Sequence, residues 1–176
     1  MPIDPDRVAA ASLSPFTGQA WRQLGPRHPP LSGEGARLHG GRFNPPESFP
    51  VLYLCRSRPC AAAELARMGE RQSIGIEALL PRRLYRYEVS LFRVLDLTDE
   101  VTRRALDIEQ DVLMRSSWSA CQGLGTIAHS LSIQAINSPS ATGVGEVLAV
   151  FSENVEETDL KATFVEEWRE VSDVRA

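Results

Sequence analysis

Residues 31–46 limit this chain more than any other segment. They read Leu-Ser-Gly-Glu-Gly-Ala-Arg-Leu-His-Gly-Gly-Arg-Phe-Asn-Pro-Pro, with four glycines, two arginines and a Pro-Pro pair. An ordinary turn needs one or two such residues. Here Arg42 stands between Gly40-Gly41 and Asn44-Pro45-Pro46. Glycine lets backbone come close to a ligand, and proline stiffens the exit of a loop. A guanidinium fixed this way suits paired hydrogen bonds to a carboxylate or a phosphate group. The same residues also fit a long glycine-rich hairpin with an exposed arginine.

The residues that follow add a second and a third part. Val51–Cys55 is a short apolar run that reads as a buried strand carrying Tyr53. Pro59 then opens a helix over 59–69, favoured by three alanines before Glu64. This order resembles the RES domain family. Its pattern is Gly-Gly-Arg-aromatic-Asn-Pro, a strand with Tyr, and a helix with Ala-x-x-Glu. Gly40, Gly41, Arg42, Phe43, Asn44, Pro45, Tyr53 and Glu64 match it. Many members carry Trp where this chain has Phe43, another large aromatic. Ser-Pro-Ser-Ala at 138–141 resembles the family's late Pro-Ser element and makes Ser140 the matching serine, with Ser138 adjacent. Trp21-Arg22, residues 32–37 and residues 118–125 extend the resemblance over roughly 20–152.

The resemblance implies an enzyme that destroys NAD at its nicotinamide–ribose bond. It also implies the toxin half of a bacterial toxin–antitoxin pair, whose companion carries a helix-turn-helix, Xre-like DNA-binding domain. Such a bond breaks through an oxocarbenium-like state that a nearby carboxylate stabilises. The resemblance assigns that carboxylate to Glu64, which otherwise reads as a surface acid in a helix's first turns. Tyr53 offers an aromatic face to a cationic pyridinium, or is a core tyrosine. Arg42 and Arg22 offer donors to the diphosphate, although Arg22 also fits a surface strand. Ser140 donates to substrate or caps the turn after Pro139. Gln122 fits a residue that satisfies buried backbone. NAD is then the substrate, with no cofactor and with water or phosphate as acceptor. Transfer of ADP-ribose to a protein, and a non-catalytic partner of a DNA-binding regulator, are the competing functions. No paired-acid motif accompanies Glu64, which favours a small acceptor.

Composition narrows the class. The 23 acidic and 19 basic residues give a net charge of −4, which argues against direct nucleic-acid binding. No run of 18 apolar residues suggests a membrane helix, and residues 1–7 do not read as a signal peptide. Cys55, Cys60 and Cys121 sit in apolar contexts and read as buried thiols, with a reducing cytoplasm as the default. None of the three histidines belongs to a metal set.

A length of 176 residues suits one domain, expected over 16–176 behind a peripheral segment 1–15. Strands are expected at 20–24, 36–39, 51–55, 83–89, 94–97, 135–136 and 146–151. Helices are expected at 59–69, from Thr98 or Asp99 to Leu106, at 118–131, and near 165–171. The pattern is mixed α/β without regular βαβ alternation. The resemblance implies a compact ADP-ribosyltransferase-like fold, with a split, twisted mixed sheet surrounded by helices.

Overall fold

The computed structural model describes residues 2–174. Met1 and the last two residues of the expected domain, 175 and 176, lie outside the described residues. Six strands form one mixed sheet: β1 Ser14–Leu24, β2 Val51–Cys55, β3 Arg82–Asp96, β4 Ala135–Pro139, β5 Glu146–Phe151 and β6 Leu160–Trp168. They divide into two lobes. In one lobe β3 lies between β1 and β6, antiparallel to both. In the other β5 lies between β2 and β4, again antiparallel.

Two narrow joints connect the lobes. The end of β3 runs parallel to β4 from Val94↔Ala135 to Asp96↔Asn137. β1 meets β2 at one residue pair, Trp21↔Cys55. The inner faces close on a buried cluster that includes Ala20, Leu52, Leu54, Tyr87, Val89, Leu91, Leu148 and Val150. The outer face of the second lobe packs under α6, Ser119–Ser130, through Phe43, Ile136, Ala149, Phe151, Leu124 and Ala128.

Helix α3, Arg58–Arg71, covers the split beside the Trp21↔Cys55 joint. Ser57 caps it by accepting from Cys60 N–H at 3.2 Å, and Pro59 sits in its first turn. Its Cys60, Ala61 and Leu65 face pack with Leu84 and Trp168 of the first lobe. Leu65 is fully buried, and such burial contributes about 1.5–3 kcal/mol. The neighbouring stripe carries Glu64, Arg67 and Arg71, spaced i, i+3 and i+7.

The segment expected as a strand at 36–39 is instead helix α2, Glu34–His39. Gly40 N–H donates to Ala36 O at 2.8 Å, Asn44 Nδ2 donates to the same carbonyl at 2.7 Å, and Arg37 pairs with Glu34. The Asn44 bond, from outside the segment, adds to these local bonds in favouring the helix. The strands expected at 83–89 and 94–97 are one strand, β3, because β1 pairs with it along nearly its whole length. Segment 1–15 is not merely peripheral. It forms α1, Pro5–Ala9, whose Val8 is 1% exposed within the α6-facing core, and Ser14 already begins β1.

The helix expected near 165–171 is mostly strand. Leu160 and Trp168 are buried at the two ends of β6, and Glu166 and Glu167 pair with Arg58 and Arg83. Only the short α7, Val171–Val174, follows. Two further short helices, α4 Glu100–Ala105 and α5 Gln110–Met114, connect β3 to α6. Asp99 caps α4. No helix among the described residues is long and apolar enough to cross a membrane. The three cysteines are free and buried.

Candidate functional site

The glycine-rich segment ends in a small hairpin closed by Gly41 N–H to Asn44 O at 2.9 Å. Three elements pin it. From β2, the Tyr53 hydroxyl accepts from Phe43 N–H and donates to Asn44 Oδ1, both at 2.8 Å. From α6, Gln122 Nε2 donates to Gly41 O at 3.0 Å and Asn44 O at 3.2 Å. Asn44 itself is fully buried and donates to the carbonyls of Ala36, Pro45 and Phe49.

Packing is equally close. A Cβ at Gly41 would stand 2.5 Å from the Tyr53 ring, and one at Gly125 would stand 1.7 Å from Phe43 O. Burial pushes the Tyr53 phenol well above its usual pKa, against the opposing Phe43 N–H bond and Arg42 charge. Phe43 and Asn44 therefore point inward, while Arg42 reaches out from a rigid support. Its Nη1 donates to Arg115 O at 3.1 Å, and its guanidinium lies 5.8 Å from the Trp118 ring centre.

Glu64 meets the loop after β4. Ser140 is 1% exposed, and its hydroxyl donates to Glu64 Oε1 at 2.8 Å. The Thr142 hydroxyl lies 2.6 Å from Ser140 Oγ and supplies the next proton in a Thr142-to-Ser140-to-Glu64 chain. Backbone holds the loop through Ser140 N–H to Gly145 O and Thr142 N–H to Ser140 Oγ. Ser138 is buried within β4 and paired with Val147 of β5. Ser140 is thus the serine that joins the carboxylate.

Two guanidiniums, Arg67 and Arg71, lie near this pair, and Arg42 shares the Trp118 ring with Arg71. Arg67 donates to Ala141 O, beside Ser140. Arg71 lies 4.0 Å from the Trp118 ring centre. Desolvation, then the charges of Arg67 and Arg42, pull the Arg71 guanidinium below its ordinary pKa, while Glu64 opposes them. Among the described residues, Arg42, Arg67 and Arg71 form no ion pair with a carboxylate. Among the described residues, Glu64 Oε1 has the Ser140 hydroxyl as a partner and Oε2 has none. The result is a free carboxylate oxygen beside several unpaired cations, an arrangement suited to a ligand with anionic phosphates and a developing positive centre.

Glu64 and Ser140 come together, Arg42 reaches the Trp118 ring that Arg71 also covers, and Tyr53 supports the hairpin that carries Arg42. Arg22 is placed differently. Its Nη1 donates to Pro30 O at 3.2 Å and Ser32 O at 3.0 Å, holding the start of the glycine-rich segment beside Tyr87. Gln122 satisfies loop carbonyls as expected. Arg67, Arg71, Trp118 and Thr142 were not singled out from sequence as site residues. The Glu-x-x-Arg-x-x-x-Arg spacing on one helix is the signal that marks two of them. No cluster of three or more His, Cys, Asp or Glu side chains suited to a metal occurs among the described residues.

The chain is similar to known proteins over most of its length. The RES domain family model matches residues 19–173. Over 149 residues the chain is 36% identical to the NAD(+) phosphorylase MbcT of Mycobacterium bovis and of Mycobacterium tuberculosis, covering 84% of this chain and 80% of that protein. It is 31% identical over 148 residues to a probable NAD(+) phosphorylase of M. tuberculosis, covering 83% of this chain and 70% of the other. The crystal structure of the M. tuberculosis MbcT–MbcA toxin–antitoxin complex superposes with a TM-score of 0.85 at 30% identity. That match covers 97% of this chain and 94% of the solved one.

Proposed function

This chain belongs to the RES domain family, and from that premise we propose that it is a toxin that degrades NAD by phosphorolysis of the nicotinamide–ribose bond. The observation that carries the reading is the Ser140-held Glu64 on one helix with Arg67 and Arg71, which form no ion pair among the described residues, with Arg42 at the Trp118 ring that Arg71 covers. The names of its similar relatives support the same chemistry.

The bond between ribose C1 and the pyridinium nitrogen breaks with its electron pair, so nicotinamide leaves neutral. Positive charge moves onto the ribose. Glu64 stabilises that charge electrostatically, with Ser140 fixing Oε1 and leaving Oε2 free. A phosphate oxygen then forms the new bond to C1. Arg42 grips the diphosphate of the dinucleotide from its pinned hairpin. Tyr53 acts by setting that hairpin, and Arg22 acts through the segment it holds. The reaction needs no further cofactor and takes place in the cytoplasm, where NAD is plentiful.

An enzyme of this kind needs restraint in its own cell. The solved toxin–antitoxin complex supports an antitoxin partner for this chain too. A helix-turn-helix, Xre-like protein fits the net charge of −4, which favours contact with a basic protein over contact with DNA.

Incubating the purified chain with NAD and inorganic phosphate, then separating products by chromatography, tests the reading. Nicotinamide and a phosphorylated ADP-ribose are expected. Intact NAD in the presence of folded, partner-free protein would end it.

A further inference from the structure

Arg67 and Arg71 stand on the same helix as Glu64, one and two turns beyond it. Long side chains on a helix lean toward its N-terminus, so both guanidiniums lean back toward the carboxylate. Their electrostatics agree, because Arg71 responds to Glu64 as well as to Arg67 and Arg42. Arg71 is laid on Trp118 and Arg67 is tied to Ala141 O. Neither contact neutralises charge. Among the described residues Arg37, Arg56, Arg58, Arg83, Arg104 and Arg115 have a carboxylate partner, while Arg22, Arg82, Arg93 and Arg103 lack one and are held by neutral protein oxygens. What sets Arg67 and Arg71 apart is their place on the helix of Glu64. Like charges fixed close together are unfavourable unless an anion joins them.

We propose that Arg67 and Arg71 form the binding site for the attacking inorganic phosphate, next to the Arg42 grip on the dinucleotide. The assignment rests on the NAD-degrading reading above. A phosphate dianion beside Glu64 is repelled unless cations intervene, and these two are the cations on the carboxylate's own helix. Planar guanidinium forks pair well with phosphate oxygens. Arg42 comes from the hairpin and meets the same Trp118 ring at 5.8 Å, on the side where the diphosphate is expected to lie. The division gives each anion its own arginines, with Trp118 as the shared wall.

The test titrates inorganic phosphate into the full chain by calorimetry without NAD, for wild type, Arg71→Gln, Arg67→Gln and Arg71→Lys. Wild type should bind phosphate, and each glutamine variant should bind about tenfold or more weakly. Arg71→Lys should recover part of the loss. In turnover, the half-saturating phosphate concentration should rise in parallel, while that for NAD changes less than about threefold. Product should shift from phosphorylated ADP-ribose toward ADP-ribose. Thermal melts confirm that each variant is folded.

Unchanged phosphate binding in both glutamine variants overturns the assignment. So does a rise in the NAD requirement with the phosphate requirement unaltered, which would place Arg71 on the dinucleotide. Phosphate binding without NAD loss keeps this anion site and ends the NAD reading. NAD loss without phosphate binding or phosphate dependence does the reverse.

Discussion

The Ser140 hydroxyl donates to Glu64 Oε1 at 2.8 Å, across 76 positions of chain. One residue comes from a loop after β4 and the other from the helix that covers the split sheet. The bond therefore fixes the carboxylate with respect to both lobes. Ser140→Ala removes it without adding bulk. A hydrogen bond to a charged group contributes about 1.5–3 kcal/mol, so turnover should fall roughly 10- to 100-fold. Steady-state kinetics on folded protein measures this, and near-normal turnover would leave Ser140 as a turn residue only.

Tyr53→Phe keeps the ring but strands Phe43 N–H and Asn44 Oδ1 in a buried place. Stability should drop by about 1–3 kcal/mol, and NAD should bind more weakly as Arg42 loses its support. Denaturant unfolding and calorimetry check the two effects. An unchanged unfolding midpoint would show that the hairpin does not depend on this hydroxyl.

The same phenol carries a pH signature. Burial raises its folded pKa above the unfolded value of about 10. Its contribution to stability is therefore complete below about pH 10 and is lost as pH rises beyond it. Tyr87 is raised by burial in the same direction. Unfolding followed from pH 8 to pH 11.5 should show stability falling at the alkaline end, and Tyr53→Phe should make that fall shallower. An identical slope in the variant would contradict the burial assigned to Tyr53.

Gly125→Ala should be severe although it adds one methyl group. The new Cβ would stand 1.7 Å from Phe43 O and 2.6 Å from Phe43 C, both backbone atoms of the pinned hairpin. No rotamer relieves that overlap, so the helix or the hairpin must shift, at a cost of about 3 kcal/mol or more. Gly123, whose added Cβ meets nothing within 4 Å, is the control. Equal melting temperatures for the two alanine variants would refute the close approach.

Much of the site was legible because its parts are short and local. A hairpin motif, an apolar strand and an alanine-rich helix start each announce themselves within ten residues. Arg42, Tyr53, Glu64 and Ser140 followed from them and from the family pattern. What escaped depends on partners outside each segment. α2 is helical because Asn44 and Gly40 engage Ala36 O. β6 is a strand because β3 offers an edge and Arg58 and Arg83 receive its acids. Val8 looked peripheral because one valine in a proline-containing segment gives no period, yet it closes the α6-facing core. Arg71 and Trp118 are unremarkable until α3 and the start of α6 meet beside Arg42.

The most direct measurement is nicotinamide release from NAD in phosphate buffer by wild-type protein and by Glu64→Gln. The amide keeps the shape of the side chain and an acceptor for Ser140 but loses the negative charge. Wild type should release one nicotinamide for each NAD consumed, and the folded variant should be slower by about a hundredfold or more. Comparable rates from both proteins would contradict the placement of Glu64 at the centre of the chemistry.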